Sequence, residues 1–212
     1  MQDRLTDYIE SHVSKEPELL ARTYLHTNLY HLYPRMCSGN VQGRLLKMLT
    51  SMIRPRRVLE LGTFTGYSAL CIAEGMPADC ELHTVEIDDE SEEELLERFA
   101  ESPAAGRIHL HIGDALEVVQ EIDEEWDMVF IDANKRNYTD YYRMILPRVR
   151  PGGYILADNT LWAGKVAEES APTDPQTRGI MEFNDLVAAD PAVEVAILPV
   201  RDGLTILRKT VR

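Results

Sequence analysis

The chain has 212 residues, 44% of them apolar and 27% charged, with a formal net charge of −14. That length supports one full core and a single domain over 1–212, and the lack of any apolar run of about 18 residues argues against a membrane span. The acidic balance opposes nonspecific attraction to nucleic acid or anionic lipid, and the opening MQDRLTDYIE has no apolar export core, so the expected compartment is the cytoplasm.

Residues 3–14 and 17–30 are expected to be helices. Leu5, Tyr8, Ile9 and Val13 share one face of the first, and Leu19, Leu20, Tyr24 and Leu25 one face of the second. They form an N-terminal helical addition (1–54) to a core at 55–212. They read equally as a cap or dimer surface and as plain packing on the sheet. Residues 31–40 read as a loop with Pro34 and Gly39 as breakers. A helix from Val41 to Ile53 follows, ended by Pro55.

Arg56 to Ser68, RRVLELGTFTGYS, organises the rest. Val58, Leu59 and Leu61 suit a buried parallel strand. Gly62 and Gly66 turn the chain into a helix from Tyr67 to Gly75. Strand, glycine turn and helix open a doubly wound α/β domain. The spacing Gly-x-x-x-Gly differs from the Gly-x-Gly-x-x-Gly that grips a pyrophosphate. It disfavours a nicotinamide dehydrogenase and points to a nucleoside cofactor without that group. Glu60, at the strand tip, suits a ligand bearing positive charge or hydroxyls.

Further strands are expected over Cys80–Ile87, Ile108–Ile112, Trp126–Ile131 and Tyr154–Ala157. Helices are expected within the acidic stretch 88–102, over Leu116–Ile122, over 137–149 and over Gln176–Ala188. Pro151-Gly152-Gly153 reads as a tight turn and 160–175 as a loop. Val193–Pro199 and Leu204–Lys209 read as a hairpin around Arg201-Asp202-Gly203. The sum is a mostly parallel, Rossmann-like sheet with helices on both faces and an antiparallel strand near one edge.

Acids fall at the ends of successive strands: Glu60, Glu86, Asp114, Asp132 and Asp158, the last followed by Asn159. Ligands of open α/β sheets bind along that edge. Each acid alone would more often be a helix cap or loop carboxylate, but the series favours a site. Glu86, 26 residues after Glu60, fits a grip on ribose hydroxyls. Asp132, Asp158 and Asn159 are hard oxygen donors suited to Mg²⁺, Mn²⁺ or Ca²⁺. Asp158-Asn159 reads equally well as a turn. Lys135 could serve as a general base with a lowered pKa near a cation, although most lysines simply face water. His109 and His111 alternate along a strand and read as sheet residues, and the six histidines show no ligand spacing. Trp162 reads as a pocket wall or a loop anchor. Cys37, Cys71 and Cys80 read as reduced, buried thiols.

VLELGTFTGYS, VEID, GDA, FIDANKRNYTDYY, GGYILADNTLWAGKV, FN and DGLTILRK, in that order, resemble the cation-dependent O-methyltransferases from about Met36 to Lys209. The glycine turn is shared by many methyltransferases; the Asp-x-x-Lys and Asp-Asn-x-Leu-Trp pair is more specific. The resemblance implies the class I methyltransferase fold, S-adenosylmethionine as methyl donor and a divalent cation, usually Mg²⁺. It implies Asp132, Asp158 and Asn159 as metal ligands, and Lys135, with Asp132 beside it, as catalytic. It places Glu60, Gly62 and Ser68 at the methionine end of the cofactor, and Ser38 in the loop before the first strand that touches the cofactor. Glu86 and Ile87 fall at the ribose, Asp114 and Ala115 near the adenine, and Asp132 reaches the cofactor as well. Implied acceptors are catechol-like aromatic diols, or a hydroxylated uridine in transfer RNA as for some bacterial relatives. A homodimer is implied too. Asn134 and Ala163 depart from plant members, which tend to carry Asp and Asn there. A non-catalytic nucleoside-binding protein of the same fold is the alternative outside enzymology.

Overall fold

The computed structural model of the chain describes residues 2–168 and 174–210; part of the expected 160–175 loop, residues 169–173, lies outside the described residues. The apolar run Val58-Leu59-Glu60-Leu61 lies in β1 (Arg57–Leu61). Along one flank run β2 (Glu81–Glu86) and β3 (Ile108–Ile112), both parallel to it. Along the other run β4 (Trp126–Ile131) and β5 (Val149–Asp158), also parallel. The hairpin β6 (Val193–Leu198) and β7 (Leu204–Lys209) completes the sheet, with β7 antiparallel to both β5 and β6. Among the described residues the order is β3-β2-β1-β4-β5-β7-β6. The expected antiparallel strand is therefore β7, one place in from the edge.

Successive strand residues point to opposite faces, so each face has its own core. Val58, Leu82, Met128, Phe130 and Leu156 meet α3 (Gly39–Ile53), α4 (Tyr67–Gly75) and α5 (Glu92–Ala100). Leu59, Val85, Val129, Ile131 and Ile155 meet α6 (Ala115–Glu121), α7 (Tyr138–Ile145) and α8 (Pro175–Ala189). Both faces are covered, as strands this apolar require.

The N-terminal helices are α1 (Gln2–His12) and α2 (Glu18–Tyr30). Leu20, Thr23 and Thr27 of α2 are buried, while Tyr24 and Leu25 are exposed. The covered stripe of α2 is thus partly threonine, and Thr27 Oγ1 donates to Thr65 Oγ1 at 2.9 Å beside the glycine turn. Leu5, Tyr8 and Ile9 of α1 are exposed, so these side chains do not pack on the sheet.

Two boundaries differ from the sequence pattern by several residues, while others, such as the start of α3 at Gly39, differ by one or two. The helix expected over 137–149 stops at Ile145 and tightens into a single 3₁₀ turn, Leu146–Arg148. Pro147 cannot donate to a continuing helix. The turn expected at Pro151-Gly152-Gly153 lies inside β5 instead. It is absorbed as a bulge, with the register against β4 shifting between Trp126 and Met128 and Gly152 at φ +79°.

Gly62 ties the turn after β1 to the end of β4. Its φ is +96°, and a Cβ there would lie 2.2 Å from the Asp132 carbonyl oxygen. Gly62→Ala is therefore expected to cost roughly 3 kcal/mol or more through strain and overpacking. Gly106→Ala, with nothing within 4 Å of the new methyl, should leave the melting temperature nearly unchanged. Thermal unfolding of the two variants side by side checks this.

Candidate active site

A cavity of about 920 Å³ opens over the C-terminal ends of β1 to β5. Ser38, Gly62, Ser68, Glu86, Ile87, Asp114, Ala115, Asp132, Lys135, Asp158 and Asn159 all line it. Of the site residues named from sequence, Glu60 alone does not.

Each wall is fixed by local structure. Glu86 ends β2, and its carboxylate accepts backbone N–H groups from Phe64 at 2.6 Å, Ile87 at 2.9 Å and Asp88 at 3.0 Å. Both oxygens are held in orientation; Oε1 accepts two of these bonds, and Oε2, with one, keeps a lone pair for a hydroxyl donor. Asp114 caps α6 by accepting from the Leu116 N–H at 2.8 Å, so it is both a cap and a cavity residue. Gly66, at φ +77°, packs under Phe99, where a Cβ would meet the ring at 2.8 Å.

At the far wall Lys135 Nζ donates to Asp132 Oδ1 at 2.6 Å and to the Tyr138 hydroxyl at 2.9 Å. The Tyr138 hydroxyl in turn reaches the Asp158 carbonyl oxygen at 3.0 Å. Gln42 Nε2 donates to Asp158 Oδ2 at 2.7 Å, and the Asn159 N–H donates to Asp158 Oδ1 at 2.8 Å. Asn159 sits at φ +57°, a left-handed position that asparagine tolerates. Asn184 Nδ2 holds the next peptide by donating to the Thr160 carbonyl at 2.8 Å.

Burial, opposed by Lys135 but reinforced by the nearby Asp158 carboxylate, pushes the Asp132 carboxyl up to about 7. Two neighbouring carboxylates in a sheltered corner, with one ammonium on Asp132 and only neutral donors on Asp158, form an oxygen donor set that fits a divalent cation. The glycine turn and the oriented Glu86 carboxylate fit a nucleoside.

Burial alone would lower the pKa of Lys135, but Asp132 and Tyr138 outweigh it and hold the ammonium charged above its ordinary value while Asp132 is its ion-pair partner. One expectation needs correction. Glu60 is fully buried beneath the cavity wall, where Thr84 Oγ1 donates to it at 2.5 Å. Burial raises its pKa to about 8, so it is not a free carboxylate facing the ligand.

Trp162 lines the cavity and also packs against the core under α7 and α8. His109 and His111 lie on one sheet face as expected, with His83 between them and Trp126. The three cysteines are free and buried. Sequence reasoning missed Gln42 and Tyr138. Gln42 sits among the apolar positions of α3 and is 1% exposed; a lone glutamine on a core-facing stripe was its only signal.

The profile of a family described as O-methyltransferase matches residues 10–210. Caffeoyl-CoA O-methyltransferase 5 of Nicotiana tabacum is 34% identical, covering 98% of this chain and 91% of its own length. The chain belongs to the cation-dependent O-methyltransferase family. Caffeoyl-CoA O-methyltransferase 1 of Arabidopsis thaliana is also 34% identical, over 98% of this chain and 85% of the relative. Among solved structures, the Streptomyces achromogenes O-methyltransferase TomG, in complex with S-adenosylmethionine, superposes with a TM-score of 0.89. It shares 30% identity and covers 98% of this chain and 96% of its own. The Bacillus cereus O-methyltransferase, bound to S-adenosylhomocysteine, has a TM-score of 0.89 at 26% identity, covering 98% and 97%. As a member of this family the protein is a methyltransferase that uses S-adenosylmethionine and a divalent cation. No described helix is long and apolar enough to cross a membrane.

The buried acid of this O-methyltransferase gives a signed pH prediction. Glu60 titrates near 8 in the folded chain and near 4.3 when unfolded. The folded state therefore binds more protons across that window, and stability falls as pH rises through it. Glu60→Gln should unfold at a higher temperature than the parent above pH 8, with the advantage vanishing near pH 4. Melting curves of both proteins across this range check the sign.

Proposed function

We propose that the protein transfers the methyl group of S-adenosylmethionine to one hydroxyl of a vicinal dihydroxy aromatic. Asp132, Asp158 and Asn159 hold the cation beside the donor. One observation carries this reading: three oxygen donors from the ends of β4 and β5 share a cavity wall with a buried lysine. The names of the relatives support the acceptor class, since a caffeoyl group is an aromatic vicinal diol. The net charge of −14 disfavours transfer RNA as the acceptor.

A cation at this position stabilises a phenolate at neutral pH, and the sulfonium donor is already activated. The chain's own residues supply the rest. Glu86 and the glycine turn orient the nucleoside. Gln42, through Asp158 Oδ2, and the Asn159 N–H, through Asp158 Oδ1, keep that carboxylate aimed at the cavity. Lys135 is held by Tyr138 within reach of the acceptor space. Were Asp132 engaged by the cation, the ion pair that keeps Lys135 charged would weaken and its pKa would fall; Nζ, having released its proton to solvent, could then take the phenolic proton. Trp162 offers a ring wall for the aromatic acceptor. Alignment of this kind supplies roughly 7–11 kcal/mol of the barrier reduction.

Methyl transfer from labelled cofactor to a panel of catechols should require a divalent cation and stop with excess EDTA. Unchanged transfer in EDTA would remove the metal from the mechanism. Lys135→Met should lower kcat by about 10²-fold or more while cofactor affinity, measured by calorimetry, stays within about twofold. Gln42→Leu should lower kcat less and raise the Mg²⁺ concentration needed for half activity, because positioning partners typically tune affinity by about 10–100-fold.

A further inference from the structure

A second cluster of donors lies on the same sheet, upstream of the cavity and independent of the methyl-transfer reading. Glu81 and His83 alternate on β2, and His109 and His111 on β3. The register pairs His83 with His109, so all four project from one face beside the sheet edge. One donor atom from each of Glu81, His83 and His109 falls in a group whose members lie within 4.8 Å of one another. His109 Nε2 is 3.6 Å from Glu81 Oε2. His83 Nδ1 and His111 Nε2 share a hydrogen bond at 3.0 Å, which leaves His83 Nε2 turned away. Among the described residues neither His83 Nε2 nor His109 Nε2 has a hydrogen-bond partner, and both atoms are shielded from solvent.

Two unpartnered imidazole nitrogens and a carboxylate form the donor set of a transition metal rather than Mg²⁺. We infer that Glu81, His83 and His109 bind a zinc-class divalent ion that clips β3, the edge strand, to β2. His111 is a positioning residue that fixes the His83 ring, as the outer partners of metal-bound imidazoles do. Tetrahedral zinc at about 2.0–2.2 Å from each donor would space them by roughly 3.4 Å. The side chains of Glu81 and His109 are 40% and 41% exposed, so they can rotate inward to meet that spacing. Arg57 is the competing cation on Glu81, at 3.9 Å, but its nearer partner is Glu124, at 3.1 Å. His83 lies three residues before Glu86, about 10 Å along the strand, so the ion plays no part in methyl transfer. A clip here serves stability, because an edge strand is the part of a sheet most open to mispairing. The other His/Glu cluster, His26, His31 and Glu94, is weaker because Glu94 is already paired with Arg98.

Zinc titration by calorimetry tests this on the full chain carrying Asp158→Asn and Asn159→Ala, which removes donors from the cavity. One equivalent of Zn²⁺ should bind, excess Mg²⁺ should not displace it, and it should raise the melting temperature. His109→Gln and, separately, Glu81→Gln should each weaken binding by at least tenfold and abolish the thermal shift. His111→Gln should weaken it about tenfold. In the otherwise unaltered chain His109→Gln should methylate catechols at the parental rate, which also reports that it folds. Absence of zinc binding in the parent, or equal affinity in both the His109→Gln and Glu81→Gln variants, would overturn the inference.

Discussion

Two carboxylates at the tips of neighbouring strands, crowded into a sheltered corner where one ammonium pairs with Asp132 alone, are the constraint on which the site depends. Like charges in a medium of low polarity repel strongly. The chain relieves that repulsion partly through Lys135, which grips Asp132, and partly through neutral donors on Asp158. Burial pushes the Asp132 carboxyl up, and its ion pair with Lys135 holds that ammonium charged. A divalent cation is the natural partner for such a corner, and its arrival would loosen the hold on the lysine.

The scaffold around that corner is made of weakly reactive groups. Tyr138 bridges Lys135 to the backbone of β5, Gln42 reaches across from α3, and Asn184 pins the peptide after Asn159 from α8. Three helices from both sides of the sheet thus converge on one pair of strand ends. Gly62 sets how closely the first strand's turn can approach the fourth strand's end, since no side chain fits against the Asp132 carbonyl. Positional accuracy at the reacting groups follows from these contacts rather than from the acids themselves.

The N-terminal segment has a divided character. The loop after α2, Leu32 to Met36, borders the cavity, while α2 anchors itself through buried threonines beside the glycine turn. Exposed apolar side chains from Leu5 to Tyr30 remain outside both contacts. Part of this addition therefore lines the cavity, and part leaves apolar side chains exposed.

The sequence by itself determined the alternation of strands and helices, the glycine turn, and the row of acids at strand ends. Those features are local: hydrophobic period, turn chemistry and residue type are visible without knowing what packs where. It also located the cavity, because strand ends in a parallel sheet must face one way. Tertiary structure decided what each group can do there. Glu60 looks like its neighbours in the series, yet its strand position turns it under the wall, where burial keeps it protonated. Lys135 looks like a base in waiting, yet Asp132 lies 2.6 Å away and fixes its charge. Gln42 lies 116 residues from the carboxylate it orients, and His83 meets His111 only through strand pairing. Charge state and orientation depend on neighbours distant in the chain, and only the folded packing brings those neighbours together.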